Sequence, residues 1–264
     1  MTTPPIARLA STILLLRDSA DGIEVFMMER HHQIEFNSGA LVFPGGSVDA
    51  QDREFIAHPE LYSDTAERDG DALGFRIAAI RETFEESGIL LARRQGMTSI
   101  IDAAGAGTIA ATHRRALCAH ETSLANIVRD NRLELAVDAL VPYAHWITPE
   151  NFPKRFDTWF FLAQAPKDQL GRHDGAESTG SLWLSPREAL AGGESGRFKL
   201  PFATTRNLIR LGHQPSVSAA LEHASGLSIV TVMPVMTKTD RGVHFRIPAE
   251  AGYDGEDFDA AGPG

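Results

Sequence analysis

Three glutamates, Glu82, Glu85 and Glu86, stand close together in the nonapeptide R-E-T-F-E-E-S-G-I. Apolar residues recur at helical spacing around them, which predicts a helix over about 71–91. At 100° per residue the three carboxylates lie on one side of this helix, and the other side carries Leu73, Ile77, Ile80 and Phe84. Like charges at this spacing weaken a helix by a few tenths of a kcal/mol. Mg²⁺ and Mn²⁺ prefer clustered oxygen ligands, so a bound ion would turn this repulsion into affinity for the metal. The alternative interpretation is that the three glutamates form the solvated face of an ordinary surface helix.

The neighbours of the glutamates fit an ordered site. Arg81 precedes Glu85 by four residues, so an ion pair between them is expected to orient the carboxylate. Ala78 and Ala79 flank the acidic face, which predicts that little bulk blocks approach to it. Gly88 suits an early end of the helix or a close approach of another group.

Together with F-P-G-G-S-V-D at 43–49, the nonapeptide resembles the Nudix hydrolase signature, G-x5-E-x7-R-E-[aliphatic]-x-E-E-x-G-[aliphatic]. The matching positions are Arg81, Glu82, Glu85, Glu86, Gly88 and Ile89. Gly46 and Arg81 enclose 34 residues, more than the pattern allows, so an insertion splits the signature. Asp52 stands where the pattern has its first glutamate, which therefore has no secure counterpart. Thr83 replaces the usual aliphatic residue.

A split signature of this kind is similar to the peroxisomal-type coenzyme A diphosphatase branch of the Nudix hydrolases. Further segments resemble that branch, namely W-I-T-P, P-K-R-F-D-T-W-F-F-L-A and W-L-S-P-R-E-A-L. The spacing from Arg30 through Gly39 to Gly46 also resembles a motif of coenzyme A diphosphatases, with His31 and Glu35 as departures from it. The chain does not end in an S-K-L type peroxisomal signal.

The resemblance implies an α/β fold, the Nudix α/β/α sandwich with a mixed sheet. We expect residues 1–250 to form a single domain, with an insertion at about 50–70 and a helical insert at about 105–135. A C-terminal extension of helices and a hairpin is expected at about 200–247. The acidic, glycine-rich residues 251–264 are expected to be a disordered tail.

Residue patterns predict the individual elements. Strands are expected at 10–16 and 23–28 as a hairpin, and at 40–43, 140–147, 158–163 and 181–184. Besides the acidic helix, helices are expected at 108–119, 123–131, 204–211 and 216–223, and from Pro186 with Ser185 as cap. A polar loop is predicted over 171–180, one helical turn at 59–62, and a hairpin within 228–247.

The resemblance also implies roles for the acidic residues. Glu82 and Glu86 would share the principal Mg²⁺ or Mn²⁺ ion, and Glu85 would be a further ligand or would orient water. The carbonyl of Gly45 or Gly46 would complete the metal shell.

Further catalytic and substrate-binding candidates lie both inside and outside the signature. Arg81 is a catalytic candidate through Glu85, and Glu177 is the candidate general base, with an ordinary exposed loop glutamate as the alternative. Arg30 and Arg155, together with Gly45 and Gly46, are candidates for binding the diphosphate. The alternative to diphosphate binding is a structural ion pair with Asp157 for Arg155. For Arg30 the alternative is a solvated position at the end of a strand.

Aromatic residues near these candidates have two interpretations. Trp146, Phe152 and Phe156 either stack on an adenine or pack in the core.

Composition limits the classes of partner. The net charge of −10 argues against nucleic-acid and anionic-membrane surfaces. Cys118 is the only cysteine, which excludes an internal disulfide, and we expect it to be a buried small apolar residue. No signal peptide or long apolar run is recognised, so a cytoplasmic protein is expected, with a homodimer left open.

The expected activity is metal-dependent hydrolysis of coenzyme A or an acyl-coenzyme A, giving phosphopantetheine and adenosine 3′,5′-bisphosphate. Alternatives are hydrolysis of ADP-ribose or a dinucleotide, and an inactive nucleotide-binding sensor. A DNA-binding regulator that uses the helices near 204–223 has little support, because those helices lack a basic surface.

Overall fold

The computed structural model describes residues 5–30, 39–63, 70–169, 178–240 and 242–260. The strands are β1 Arg8–Ser19, β2 Gly22–Arg30, β3 Leu41–Val42, β4 Gly45–Ser47, β5 Ala92–Arg94, β6 Leu133–Leu135, β7 Val141–Ile147, β8 Phe156–Gln164, β9 Ser178–Leu184, β10 Thr231–Val232, β11 Val235–Thr239, β12 Gly242–Arg246 and β13 Asp257–Ala260. The α-helices are α1 Ala50–Glu54, α2 Gly70–Ser87, α3 Ala103–Ile109, α4 Arg115–Cys118, α5 Leu124–Asp130, α6 Pro186–Glu194, α7 Phe202–Gly212 and α8 Val217–Ser225.

The largest sheet is mixed and has the strand order β10-β7-β8-β1-β2-β3. Strand β4 pairs with β1, and β9 pairs with β2. The pairs β1–β8 and β7–β10 are parallel, and the other pairs of this sheet are antiparallel. The predicted hairpin of β1 and β2 is confirmed.

Side chains that alternate along β1 belong to two separate hydrophobic cores. Ile13 and Leu15 pack with α2 and the helical insert on one face of the sheet. Leu14 and Leu16 pack with α7 and α8 on the other face. Because side chains of a strand alternate between faces, one apolar strand supplies both layers. The predicted α/β/α sandwich with a mixed sheet is confirmed.

The acidic helix α2 ends at Ser87, earlier than the predicted end near residue 91. Gly88 adopts a left-handed conformation, with φ of +75°, and this conformation ends the helix. Glycine adopts it readily because it has no Cβ atom. Ala78 and Ala79 are fully buried. Their small side chains allow α2 to pack closely against β1 and β4, so the sheet covers these two positions.

The two predicted insertions contribute buried residues to the core and are not surface loops alone. The first consists of α1 and of two 3₁₀ turns, Phe55–Ala57 and Pro59–Leu61, and Phe55 and Leu61 are buried in the core beside α2. The second runs from α3 through a π-helical turn at Ala110–Arg114 into α4, followed by α5. The β5–β6 pair that frames it was not predicted, because each strand has only three residues.

The C-terminal extension forms α7, α8 and a separate sheet of β11, β12 and β13. Strands β11 and β12 form the predicted hairpin. The prediction of a disordered tail over 251–264 was wrong for residues 251–260, because Tyr253 is buried and β13 pairs with β12. Two aromatic residues, Tyr253 and Phe258, provide the apolar surface that fixes this acidic segment.

Strand β9 begins at Ser178, within the loop predicted over 171–180. Residues 171–177 of that loop lie outside the described residues. The helices predicted from Pro186 and at 204–211 and 216–223 correspond to α6, α7 and α8.

Candidate active site

A buried arginine organises the acidic residues. The Arg81 side chain is 2% exposed. Its Nε donates to Asp52 Oδ1 at 2.8 Å and its Nη2 donates to Asp52 Oδ2 at 3.0 Å. Nη2 also donates to the carbonyl of Ser47 at 2.8 Å, which ties α2 to the end of β4. This two-pronged arrangement fixes the plane of the guanidinium group.

Asp52 is the functional residue that sequence reasoning left without a role. It is buried, and it also accepts a hydrogen bond from the backbone N–H of Asp49 at 2.7 Å. The available signal was its spacing of six residues after Gly46, at the position of the first glutamate of the pattern. A shorter acidic side chain on α1 thus meets Arg81 across the inserted segment.

The same guanidinium group holds two of the three glutamates. Arg81 Nη1 donates to Glu82 Oε1 at 3.0 Å and to Glu85 Oε2 at 3.1 Å. The ion pair predicted between Arg81 and Glu85 is therefore confirmed. Glu86 points to β4 and accepts a hydrogen bond from the Gly45 N–H at 2.9 Å. All three carboxylates are partly buried, which differs from the solvated-face alternative.

Glycines at β4 let this strand approach α2. A Cβ atom at Gly46 would lie 2.4 Å from Glu82 Oε1, and one at Gly45 would lie 2.4 Å from the Ser11 carbonyl oxygen. Real side chains do not tolerate such distances. Gly45 is therefore required by close packing against the backbone of β1, whereas a side chain at Gly46 would displace the carboxylate of Glu82.

The carboxylates carry more negative charge than one arginine offsets. Burial raises the pKa of Glu82 to about 8, against the opposing effect of Arg81. Burial also raises the pKa of Glu85, where Arg81 and His120 act in the opposite direction. The pKa of Asp52 is raised by burial as well, despite its bonds to Arg81. Groups of this kind are stabilised in their charged form by an added cation.

The acidic residues fit a hard divalent cation in donor chemistry. Glu85 Oε1 is buried and accepts no hydrogen bond from the described part of the chain, so an oxygen ligand remains available. Among residues that the structure describes, no three His, Cys, Asp or Glu side chains already stand in a metal-binding arrangement. Arg81 contacts one oxygen each of Glu82 and Glu85, so the second oxygen of each carboxylate lies outside its hydrogen bonds.

The glutamates line a cavity of about 750 Å³. Its acidic end consists of Asp49 and the three glutamates of α2. Gly45, Gly46 and Arg30 also line it, and their contact with a substrate stays a prediction. Trp146, Phe152 and Phe156 line the same cavity, although Trp146 is also buried in the core.

Three candidates are placed differently from their predictions. Arg155 is not among the cavity-lining residues, and it donates instead to the carbonyls of Thr148 and Pro5. Its alternative partner Asp157 pairs with His145, with Nε2 and Oδ1 2.5 Å apart. The third, Cys118, is exposed at the cavity rather than buried, because α4 ends there.

The candidate base, Glu177, lies outside the described residues, and so do His31 and Glu35. Their roles stay predictions.

Comparison with known families decides the assignment. The family described as the NUDT19 Nudix domain matches residues 57–211 of this chain. The chain belongs to the Nudix hydrolase family. Nudix hydrolases act on diphosphate bonds, and they generally use divalent metal ions and small nucleotide substrates.

Individual relatives agree with this Nudix assignment. The putative nudix hydrolase 7 of Caenorhabditis elegans is 30% identical over 71% of this chain, and the chain spans only 55% of that relative. The acyl-coenzyme A diphosphatase NUDT19 of Homo sapiens is 28% identical, with 89% of this chain and 73% of the relative covered. The crystal structure of a NUDIX hydrolase from Alicyclobacillus acidocaldarius has a TM-score of 0.67 and 28% identity, covering 82% of this chain and 96% of that one.

No helix in the described parts of this Nudix hydrolase is both long and apolar enough to cross a membrane.

Proposed function

We propose that this Nudix hydrolase cleaves the diphosphate linkage of coenzyme A and its acyl thioesters, with Mg²⁺ or Mn²⁺ as cofactor. The products would be the phosphopantetheine, carrying any acyl group, and adenosine 3′,5′-bisphosphate. The observation that carries the proposal is the Arg81-centred cluster of Asp52, Glu82 and Glu85 at one end of a cavity. A cytoplasmic location and a homodimer stay predictions.

The chemistry is a displacement at phosphorus. A water oxygen attacks one phosphorus, the bond from that phosphorus to the bridging oxygen breaks, and the bridging oxygen leaves with the other phosphate. The water loses its proton to a carboxylate or to solvent. A bound Mg²⁺ or Mn²⁺ would lower the pKa of water and neutralise the charge of the diphosphate.

The chain's own residues would have distinct roles in this displacement. Glu82, Glu85 and Glu86 would hold the ion, with the Gly46 carbonyl as an additional ligand. Arg81 would position Glu82 and Glu85 through its hydrogen bonds to them. Arg30, at the cavity, would bind the diphosphate. Glu177 remains the proposed general base, and the unbonded Glu85 Oε1 is an alternative acceptor for the proton.

The choice of coenzyme A rests on the relatives that are named for this activity. Relatives named acyl-coenzyme A diphosphatase NUDT19 are 28% identical in Homo sapiens and 23% identical in Xenopus laevis. We test it by incubating the protein with coenzyme A, ADP-ribose and a dinucleotide polyphosphate, each with Mg²⁺ or Mn²⁺, and identifying the products by mass. Phosphopantetheine together with adenosine 3′,5′-bisphosphate is the expected result. Cleavage of ADP-ribose without cleavage of coenzyme A would replace the proposed substrate, and binding without any cleavage would support a sensor.

The role of the acidic helix is tested by Glu86→Gln. Glutamine can still accept the hydrogen bond from Gly45, so the fold should persist, while a negative metal ligand is lost. We expect turnover to fall by about 100-fold or more, with little change in the melting temperature. Glu222→Gln, an exposed change on α8, is the matched control and should leave turnover unchanged. Equal activities of the two variants would refute the assignment of α2 as the catalytic helix.

A further inference from the structure

The cavity extends across the sheet, well beyond the carboxylates. Ser47, Ala10, Thr158 and Trp146 are paired in one row across β4, β1, β8 and β7, and all four line the cavity. Neighbouring strands lie about 4.8 Å apart, so three spacings separate Ser47 from Trp146 by roughly 14 Å. A ligand that begins at the acidic end can therefore place a distant part near Trp146.

The far end of the cavity has an aromatic wall that the C-terminal extension helps to build. Phe202 of α7 and Phe245 of β12 stack with ring centroids 4.3 Å apart and an interplanar angle of 9°. Trp146 meets Phe202 edge to face, with centroids 5.9 Å apart. Phe245 lies beyond residues 57–211, the part of the chain that matches the Nudix family.

This wall offers carbon surface and few free polar groups. Trp146 Nε1 donates to the hydroxyl of Tyr253 at 2.9 Å, so its only polar atom is already bonded. Because Phe202 and Phe245 already cover one another, a planar base cannot enter between them. An adenine would also need partners for the polar edge of its ring.

Charge separates the two ends of the cavity. Among the described lining residues, the cationic or titratable basic side chains are Arg30, Arg81 and His120. The lining residues from β7, β8, α7 and β12 include none of these. Arg206 of α7 packs over the rings of Phe202 and Phe258 and does not line the cavity. A phosphate at the far end would therefore find no cationic side chain among the described lining residues there, whereas an uncharged apolar chain would be favoured by burial.

We infer that the far end of the cavity binds the acyl chain of an acyl thioester, and that Phe202 and Phe245 set the preference for chain length. This inference rests on the proposed function. The extended pantetheine arm between the diphosphate and the thioester bridges the distance along the row from Ser47 to Trp146. The acyl chain then contacts the aromatic wall while the diphosphate lies at the glutamates.

The test compares wild-type protein, Phe245→Ala and Phe258→Ala with coenzyme A and dodecanoyl-coenzyme A as substrates. The ratio of kcat/KM for dodecanoyl-coenzyme A to that for coenzyme A should fall about tenfold in Phe245→Ala, mainly through KM. Phe258 is the matched control, because its ring lies 5.8 Å from that of Phe202 but does not line the cavity. Phe258→Ala should keep the wild-type ratio. Phe245→Leu, which retains an apolar side chain, should give an intermediate ratio and provides a milder change if the alanine variant does not fold.

The outcomes separate this inference from the proposed function. Wild-type protein that cleaves neither substrate would refute the proposed function, and the inference with it. Cleavage of both substrates with an unchanged ratio in Phe245→Ala and Phe245→Leu would overturn the acyl-chain site alone. An equal loss on both substrates would also overturn it, because it would place the common adenosine or pantetheine group at the wall.

Discussion

At the scale of single residues, the site is defined by an imbalance of charge. One buried guanidinium group, that of Arg81, contacts the carboxylates of Asp52, Glu82 and Glu85, while Glu86 is held by a backbone N–H. Burial raises the pKa values of Asp52, Glu82 and Glu85, and the single positive charge of Arg81 only partly opposes this effect. A divalent cation would reverse that effect, which links metal binding to protonation.

Asp52→Asn tests the structural role of the buried pair. The change leaves Arg81 without its two-pronged charged partner, although Glu82 and Glu85 remain in contact with it. We expect the free energy of unfolding to fall by about 2–4 kcal/mol, together with lower turnover. Urea unfolding measures the stability. Asp52→Glu restores the charge and should recover part of both quantities, whereas a neutral effect of Asp52→Asn would contradict the role of the pair.

Glu82→Gln tests the raised pKa in metal-free protein. The pKa of Glu82 is about 8 in the folded state against 4.5 in a model peptide, so the unfolded chain releases this proton first as pH rises. Stability should therefore be lost progressively between pH 4.5 and about 8, and the loss should level off above that pH. Because glutamine stays neutral, we expect the variant to be more stable than wild type at pH 8.5 by about 1–3 kcal/mol.

Urea unfolding at pH 5 and 8.5 with a chelator measures this difference. Added Mn²⁺ should then stabilise wild-type protein more than Glu82→Gln. The same change in the free energy of unfolding with pH for the two proteins, or equal stabilisation by Mn²⁺, would contradict the raised pKa of Glu82.

At the scale of elements, the site depends on the close approach of β4 to α2. The split signature places these two elements far apart in sequence, and the insertion between them supplies α1 with Asp52. Gly46 lies directly against α2, because a side chain there would collide with the carboxylate of Glu82.

Gly46→Ala should separate activity from stability. The added Cβ would lie 2.4 Å from Glu82 Oε1, so the flexible carboxylate must move away from its position. We expect turnover to fall by about 100-fold, with a loss of stability below about 2 kcal/mol. Steady-state kinetics and thermal unfolding measure the two effects.

Gly107→Ala is the matched control. Nothing lies within 4 Å of a Cβ atom at this exposed position of α3. Turnover should be unchanged and stability should rise by up to about 1 kcal/mol, because alanine favours a helix over glycine. A Gly46→Ala variant with wild-type turnover would contradict the proposed position of Glu82.

At the scale of the whole molecule, the C-terminal segment packs against the core through Tyr253. The Tyr253 hydroxyl accepts a hydrogen bond from Trp146 Nε1 at 2.9 Å and donates to Asn207 Oδ1 at 2.8 Å. The last described segment is therefore connected to β7 and α7, which line the cavity.

Tyr253→Phe tests this connection with an almost unchanged shape. Loss of the hydroxyl leaves Trp146 Nε1 buried without its partner, so we expect a destabilisation of about 1–3 kcal/mol by urea unfolding. Tyr62→Phe, at a partly buried tyrosine of the first insertion, should change stability by less than about 0.5 kcal/mol. Equal stabilities of both variants would show that residues near 253 are not part of the cooperative fold.

The sequence by itself determined the features that depend on short-range periodicity. The spacing of Glu82, Glu85 and Glu86 fixes a common side of α2, because an α-helix has 3.6 residues per turn. The same short range explains the ion pair of Arg81 with Glu85 and the hairpins of β1–β2 and β11–β12. These features were predicted correctly in place, with helix and strand ends differing by a few residues.

Only the tertiary structure decided the features that depend on distant segments. Asp52 lies 29 residues before Arg81, and their contact required the path of the insertion. The burial of Ala78, the order of residues 251–260 and the aromatic wall at Phe245 likewise arise from packing between remote elements. Burial and pKa depend on every atom that displaces water around a group, and local sequence spacing does not record which atoms those are.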